Sequence, residues 1–188
     1  VERIKKAGRD QLGKGIVLGK DTPNFVGNRI GCHSLLYIMQ AMVDEGLSPE
    51  DVDAITGPPM GHPKSASFRT ADMVGLDTFL HVANNCYESL VDDPEREVFK
   101  APDFLVKMVE KNLLGNKTRA GFYQRTKEGI LTFDPVKLEY RPRGGDEEIR
   151  KFTKKLSGIE DVRERVRQLV ADEGPAGKFA WKAIARSL

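Results

Sequence analysis

The side chains able to do chemistry are few and scattered. Asn28 lies in Pro23-Asn-Phe-Val-Gly-Asn-Arg29, at the head of a long apolar-periodic stretch. Two asparagines and a glycine occupy a first turn where other residues are stronger helix formers. The Asn28 amide either satisfies local backbone groups or lines a site, and spacing alone favours the local role. The three histidines, His33, His62 and His81, have no Ser or Cys nucleophile and no acid at a catalytic spacing. Core or surface roles suit His33 and His81. His62 differs, because its loop also holds Gly61, Pro63, Lys64, Ser65 and Ser67 and can touch a ligand. Cys32 and Cys86 sit in helical patterns without metal-type spacing; they read as free, buried thiols, and no metal site is expected. Gly115-Asn-Lys-Thr118 follows a helix and lacks the spacing of a phosphate loop. No G-x-G-x-x-G follows a strand, so the chain carries no dinucleotide fingerprint of its own.

The elements that must position these residues are mostly helical. Ile16 to Leu18 reads as a short strand. Asp21 or Thr22 then caps a helix with Pro23 in its first turn. Phe25, Val26, Ile30, Leu35, Ile38, Met39, Met42 and Val43 follow at helical spacing, and Gly46 stops the helix. Ser48, Pro49 and Asp51 form a capping box in its acidic variant, and Val52 and Ile55 face the core. Gly57 to Pro63 is an ordered loop. Ser65 or Ser67 opens a short helix through Phe68, Ala71, Met73 and Val74, ended by Gly75. Asp77 caps a helix carrying Phe79, Ala83, Cys86 and Leu90, and Pro102 or Asp103 starts another. Phe122-Tyr123 and Ile130 to Phe133 form a small hairpin. Tyr140 to Gly145 reads as a linker, followed by three thinly striped helices, the last carrying Phe179, Trp181, Ile184 and Leu188.

The chain has 188 residues and a net charge of +2, with Lys and Arg mixed among acids, which argues against a nucleic-acid partner. No apolar run approaches a membrane span and no signal peptide is visible. A reducing, cytoplasmic location is expected. Val1 to Gly8 carries Val1, Ile4 and Ala7 at helical spacing, as the last helix of a preceding domain would, and the chain reads as part of a longer protein.

Three segments then point to a family. Lys20-Asp-Thr-Pro-Asn-Phe-Val-Gly-Asn-Arg29 resembles K-D-x-P-G-F-x-x-N-R. Asp72-Met-Val-Gly-Leu-Asp77 resembles D-x-x-G-L-D. Gly115 to Tyr123 resembles G-x-K-x-x-x-G-F-Y. In this order the three resemble the C-terminal domain of 3-hydroxyacyl-CoA dehydrogenases, over roughly Gly13 to Arg125, and most of all the long multidomain β-oxidation forms. The resemblance implies a mainly α fold: a helical bundle of the 6-phosphogluconate-dehydrogenase C-terminal type with a small hairpin and a helical C-terminal extension. It implies the tail of an NAD-binding domain over 1–19, the C-terminal dehydrogenase domain over 20–140, and a linker with the start of a second, incomplete helical domain over 141–188. It implies oxidation of 3-hydroxyacyl-CoA in fatty-acid β-oxidation. NAD and the catalytic His and Glu would belong to the absent domain, so this part alone is expected to be inactive and to bind no cofactor. By motif match Asn28 is the catalytic amide, orienting the reacting oxygen without carrying a proton. Self-association is also implied.

The resemblance places His62, Lys64, Ser65 and Phe68 on a loop that borders the substrate, with Lys64 able to meet a coenzyme A phosphate. A lone exposed lysine is ordinarily a solvated charge, and Phe68 also suits the core. The loop departs from the family's P-M-G-P-F-E-L: here it reads Pro63-Lys-Ser-Ala-Ser-Phe-Arg69, with Arg69 in an acidic position. That leaves acyl preference open and keeps two other readings in view, a non-catalytic helical association module and the helical domain of a related hydroxy-acid dehydrogenase.

Overall fold

The computed structural model describes residues 1–186. Nine α-helices and one three-stranded sheet make up the regular structure among these residues. The helices are α1 Glu2–Lys6, α2 Phe25–Asp44, α3 Pro49–Thr56, α4 Phe68–Val74, α5 Leu76–Ser89, α6 Asp103–Glu110, α7 Glu147–Ser157, α8 Val162–Val170 and α9 Pro175–Ala185. The mainly α class and the family's fold type are as expected; the hairpin is extended to three strands.

Local signals predict several element ends well. Ser48 and Asp51 form the reciprocal box at the start of α3, with the Ser48 hydroxyl 2.5 Å from Asp51 Oδ2. At the other end of α2, Gly46 has φ +65°, and the Leu47 and Gly46 amides donate to the Met42 and Val43 carbonyls. That double bond closes the last turn.

Several expectations fail for identifiable reasons. Residues 12–20 form no strand, and Val17 and Leu18 are exposed; no neighbouring strand offers them a ladder. Asp21 and Thr22 do not cap α2, which starts at Phe25 after Asn24 in the left-handed region at φ +62°. Its apolar stripe is covered only in part: Leu36, Met39 and Met42 are fully buried, whereas Phe25 is 69% exposed and Val26, Ile30 and Val43 are exposed too. Met73, Val74 and Trp181 likewise lie outside the core. Ser67 stands directly before α4, as expected, but its side chain makes no capping bond. The first amides of α4, on Phe68 and Arg69, donate to Asp53 of α3 at 2.7 and 3.3 Å. Asp77 does not cap α5 but lies in its first turn. Pro58–Met60 forms one 3₁₀ turn inside the Gly57–Pro63 loop. Leu188 lies outside the described residues.

The sheet is antiparallel, with β1 Tyr123–Arg125, β2 Ile130–Asp134 and β3 Glu139–Pro142 in that order. Tyr140 to Pro142, read above as linker, therefore belongs to an edge strand. Pro142 sits at its last position, where an edge tolerates a missing donor. Phe122 and Phe133 bury one face of the sheet against the bundle. Helices α7 and α9 pack against α3, α8 packs on the Pro58–Met60 turn, and all three join the same core through Ile149, Leu156, Leu169 and Phe179.

Arg141 of β3 locks this edge to α3. Its guanidinium makes two 2.9 Å bonds to the Glu50 carboxylate, which also accepts from the Gly144 amide at 2.8 Å. Burial disfavours the Glu50 charge, but these donors outweigh it and hold the carboxyl down at about 2. Its stabilising contribution is therefore complete above the ordinary carboxyl range and lost as pH falls towards 2. Glu50→Gln is expected to cost about 2 kcal/mol at pH 7 and nothing extra below pH 2. Urea unfolding of both proteins across that range measures the difference.

Candidate functional site

The head of α2 is held by polar contacts rather than by packing. Asn24 adopts a left-handed conformation that asparagine tolerates better than most residues. It stands where the motif has glycine, and its amide donates to Asn85 Oδ1 at 2.9 Å and to Cys86 Sγ at 3.0 Å. Phe25 follows at φ +52°, a strained position for an aromatic residue. One turn on, Arg29 pairs with Asp93, which also accepts from the Glu95 amide at 2.9 Å. Between these anchors Asn28 is exposed, as are Phe25, Val26 and Ile30 beside it. The anchors fix the turn, and the Asn28 amide is presented from it.

His33 lies one turn beyond Arg29 on α2, its Nε2 3.8 Å from Glu95, whereas His62 and His81 sit elsewhere. His33 packs edge-on to Phe99 at 5.6 Å, His62 bonds the Thr56 carbonyl through Nδ1 at 2.8 Å, and His81 is exposed on α5. Cys32 and Cys86 are free and buried. Burial, with Cys86 adjacent, pushes the Cys32 thiol up to about 12, so neither is a poised nucleophile.

The other two motifs form one locked unit. Asp72 of α4 accepts from the amides of Phe122 and Tyr123 at 2.8 and 3.0 Å. Asp77 pairs with Lys117. The loop from Gly115 to Tyr123 thus lies directly on α4, and Phe122 inserts between Phe68 and Phe104, with centroids 4.3 and 6.2 Å away. Tyr123 donates its hydroxyl to Asp53 at 2.7 Å.

Burial pushes the Asp53 and Asp72 carboxyls up to about 6, against the amide and hydroxyl donors that favour their charge. The folded state therefore binds their protons more tightly than the unfolded chain between about pH 4 and 6. Their contribution is present below that window and lost as pH rises through 6. Asp53→Asn is expected to flatten this part of the stability profile, as urea midpoints at pH 4, 5, 6 and 7 would show.

Beside the lock lies an open cavity of about 760 Å³ between α4, the Gly115–Tyr123 loop and the first two strands. Lys64 and Ser65 form part of its wall, whereas His62 and Asn28 do not. Phe68 is fully buried under Phe122, so its ring belongs to the core and is not offered to a ligand. The site residues expected from the sequence are thus dispersed: Asn28 lies at the head of α2, Lys64 and Ser65 in this cavity, His62 on the Thr56 carbonyl and Phe68 in the core. Arg69, Arg119 and Arg125 also line the cavity. Their scatter along the chain hides them from any spacing argument, and only Arg69, in a position the family pattern gives to an acid, carried a signal.

Among the described residues the strands of the small sheet are antiparallel, and none runs through a glycine loop into a helix. Among the described residues no cluster of His, Cys, Asp and Glu could hold a metal ion, and no helix is long and apolar enough to cross a membrane.

Solved structures share the fold. FadB2 of M. tuberculosis matches with TM-score 0.55 and 30% identity, and the (S)-3-hydroxybutyryl-CoA dehydrogenase of Ralstonia eutropha with 0.54 and 32%; each alignment covers 66% of this chain and 42% of the other. The architecture is thus that of a helical dehydrogenase domain. The family model for the 3-hydroxyacyl-CoA dehydrogenase C-terminal domain matches residues 25–125, and the chain belongs to that family. A probable 3-hydroxyacyl-CoA dehydrogenase of Bacillus subtilis (strain 168) is 42% identical over 182 residues, covering 96% of this chain and 23% of that protein. One from Deinococcus radiodurans is 44% identical over 117 residues, 62% of this chain and 33% of its own length. The chain therefore spans between about a quarter and a third of these relatives.

Proposed function

We propose that this chain is the substrate-binding and self-associating helical part of an NAD-dependent 3-hydroxyacyl-CoA dehydrogenase, acting in cytoplasmic fatty-acid β-oxidation. The observation that carries the reading is Asn28, the motif asparagine, presented to solvent from a turn anchored on both sides. An amide both donates and accepts, so it can orient a 3-hydroxyl and the carbonyl formed from it without titrating. NAD would supply the hydride acceptor from a domain outside these residues, and the base for the hydroxyl proton would lie there too. The exposed Phe25, Val26 and Ile30 support self-association, since a soluble protein rarely leaves such a run uncovered. Sedimentation at micromolar concentration tests that part, and a monomer would count against it. The activity is tested by following NADH formation from 3-hydroxyacyl-CoA of several chain lengths, using a polypeptide that joins this chain to its NAD-binding domain. No turnover at any length would leave the association module as the better reading.

A further inference from the structure

The Asn28 side chain is exposed and has no hydrogen-bond partner among the described residues. Its place therefore depends on the backbone of the turn that carries it. Side chains in a helix lean back over the preceding turn, and here that turn opens at Asn24. The opening is uncommon. Asn24 and Phe25 follow each other at φ +62° and +52°, and of the two only asparagine is a residue type that takes such values readily. A backbone of this kind persists where its surroundings hold it. The Phe25 ring does not hold it, being 69% exposed. Two contacts do. The Phe25 amide donates to the Thr22 carbonyl at 3.1 Å, and the Asn24 side chain reaches Asn85 and Cys86 of α5.

Helix α5 is a firm support. Leu76, Ala83 and Cys86 are fully buried along it and Phe79 nearly so, and Asp77 in its first turn pairs with Lys117. The Asn24 amide nitrogen carries two hydrogens and finds two acceptors there, Asn85 Oδ1 at 2.9 Å and Cys86 Sγ at 3.0 Å. Glycine, the residue of the pattern at this position, takes the same φ but makes neither bond. Where the pattern has a residue that merely permits the turn, this chain has one that ties it to the core.

We infer that Asn24 is a positioning residue for the oxidation: by clamping the head of α2 to Asn85 and Cys86 of α5, it fixes the direction from which Asn28 meets the reacting oxygen. The inference rests on the dehydrogenase reading above for the role of Asn28. Reacting groups lose much of their rate when displaced by about 1 Å. A turn released from the clamp would still carry Asn28, but would offer its amide in several directions. Substrate would bind as before and turn over more slowly.

Kinetics of the polypeptide that joins this chain to its NAD-binding domain test the role. Asn24→Gly should lower kcat for a 3-hydroxyacyl-CoA by about tenfold and leave KM within about twofold. Asn85→Ala should give a smaller loss of kcat, because Cys86 still accepts from Asn24. Asn85→Asp, which keeps an acceptor oxygen, should restore the rate. In an Asn28→Ala background Asn24→Gly should cost nothing further, since Asn24 acts through Asn28. A merely structural asparagine would lower the melt and leave kcat alone. Circular dichroism checks that the variants are folded. Wild-type kcat in folded Asn24→Gly overturns the inference, as does an equal loss with Asn28 already removed.

Hydrogen exchange followed by NMR on this chain separates the clamp from the dehydrogenase reading. The amides of residues 29–31, near the start of α2, should exchange about threefold faster in Asn24→Gly and in Asn85→Ala than in the wild type. Those of residues 38–42, in its buried middle, should not change. Asn85 is remote in sequence from the head of α2, so its effect there must pass through Asn24. Unchanged exchange in both variants overturns the clamp whatever the activity. No oxidation of any 3-hydroxyacyl-CoA by the wild type removes the dehydrogenase reading, and exchange still decides the clamp.

Discussion

Asn28→Ala is expected to lower kcat for NAD-linked oxidation of 3-hydroxyacyl-CoA by about 10²–10³-fold, the usual loss when one preorganised polar group at a reacting oxygen is removed. Its thermal midpoint should stay level or rise slightly. The side chain is exposed, and alanine in a helix is the better helix former by roughly half a kcal/mol. The pairing of a large kinetic loss with an unchanged melt is what distinguishes a site residue from a local one. An amide that merely satisfied nearby backbone groups would give the reverse, a melt lowered by several degrees and kcat within about twofold. The loss should fall on kcat more than on KM, because the amide meets a charge that builds on the oxygen only in the reaction, as its proton passes to the base and before the hydride leaves. Initial rates by NADH absorbance and a melt on the same preparation decide between the two.

How far the sequence reaches depends on whether a signal is local. Ser48, Pro49 and Asp51 announce the start of α3 because all the partners lie within one turn. Gly46 announces the end of α2 for the same reason. The start of α4 is legible at Ser67, but the acceptor for its first amides is not, because Asp53 lies 15 residues from Phe68 and is brought there by α3. Periodicity marks the apolar face of α2 but not what covers it, so Phe25, Val26 and Ile30 read as core and are exposed. Pro142, Gly144 and Gly145 disguise β3 as a linker, and only pairing with β2 gives its first residues a strand identity. The two later motifs are individually weak strings of residues. In the structure they are two sides of one contact, Asp72 to the Phe122 and Tyr123 amides and Asp77 to Lys117. The asparagine of the first motif shows another side of this. The backbone at Asn24 is left-handed, a conformation open to the pattern's glycine and tolerated by asparagine, which also gains contacts to Asn85 and Cys86.

Gly121→Ala is expected to damage the fold severely, costing more than about 3 kcal/mol, beyond the usual range for an inserted methyl group. A Cβ at Gly121 would lie 2.6 Å from Gly115 Cα and 2.7 Å from Asp72 Cγ. Neither neighbour can retreat cheaply. Gly115, at φ +91°, is itself pressed against the Asp72 backbone, and Asp72 sits on buried α4. To make room, the Asp72 carboxylate must release the Phe122 and Tyr123 amides, and the Phe122 N–H would then be left buried without an acceptor. Withdrawing the loop instead pulls the fully buried Phe122 ring from between Phe68 and Phe104. For a chain of this length the loss corresponds to a fall in Tm of roughly 6–12 °C. Asp72→Ala alone should also destabilise, since it orphans the same amides. The double variant Asp72→Ala/Gly121→Ala should cost clearly less than the sum of the two, because removing the carboxylate removes most of the clash. Additive costs would show that the loop moves away from α4 freely and that the two motifs are not one unit.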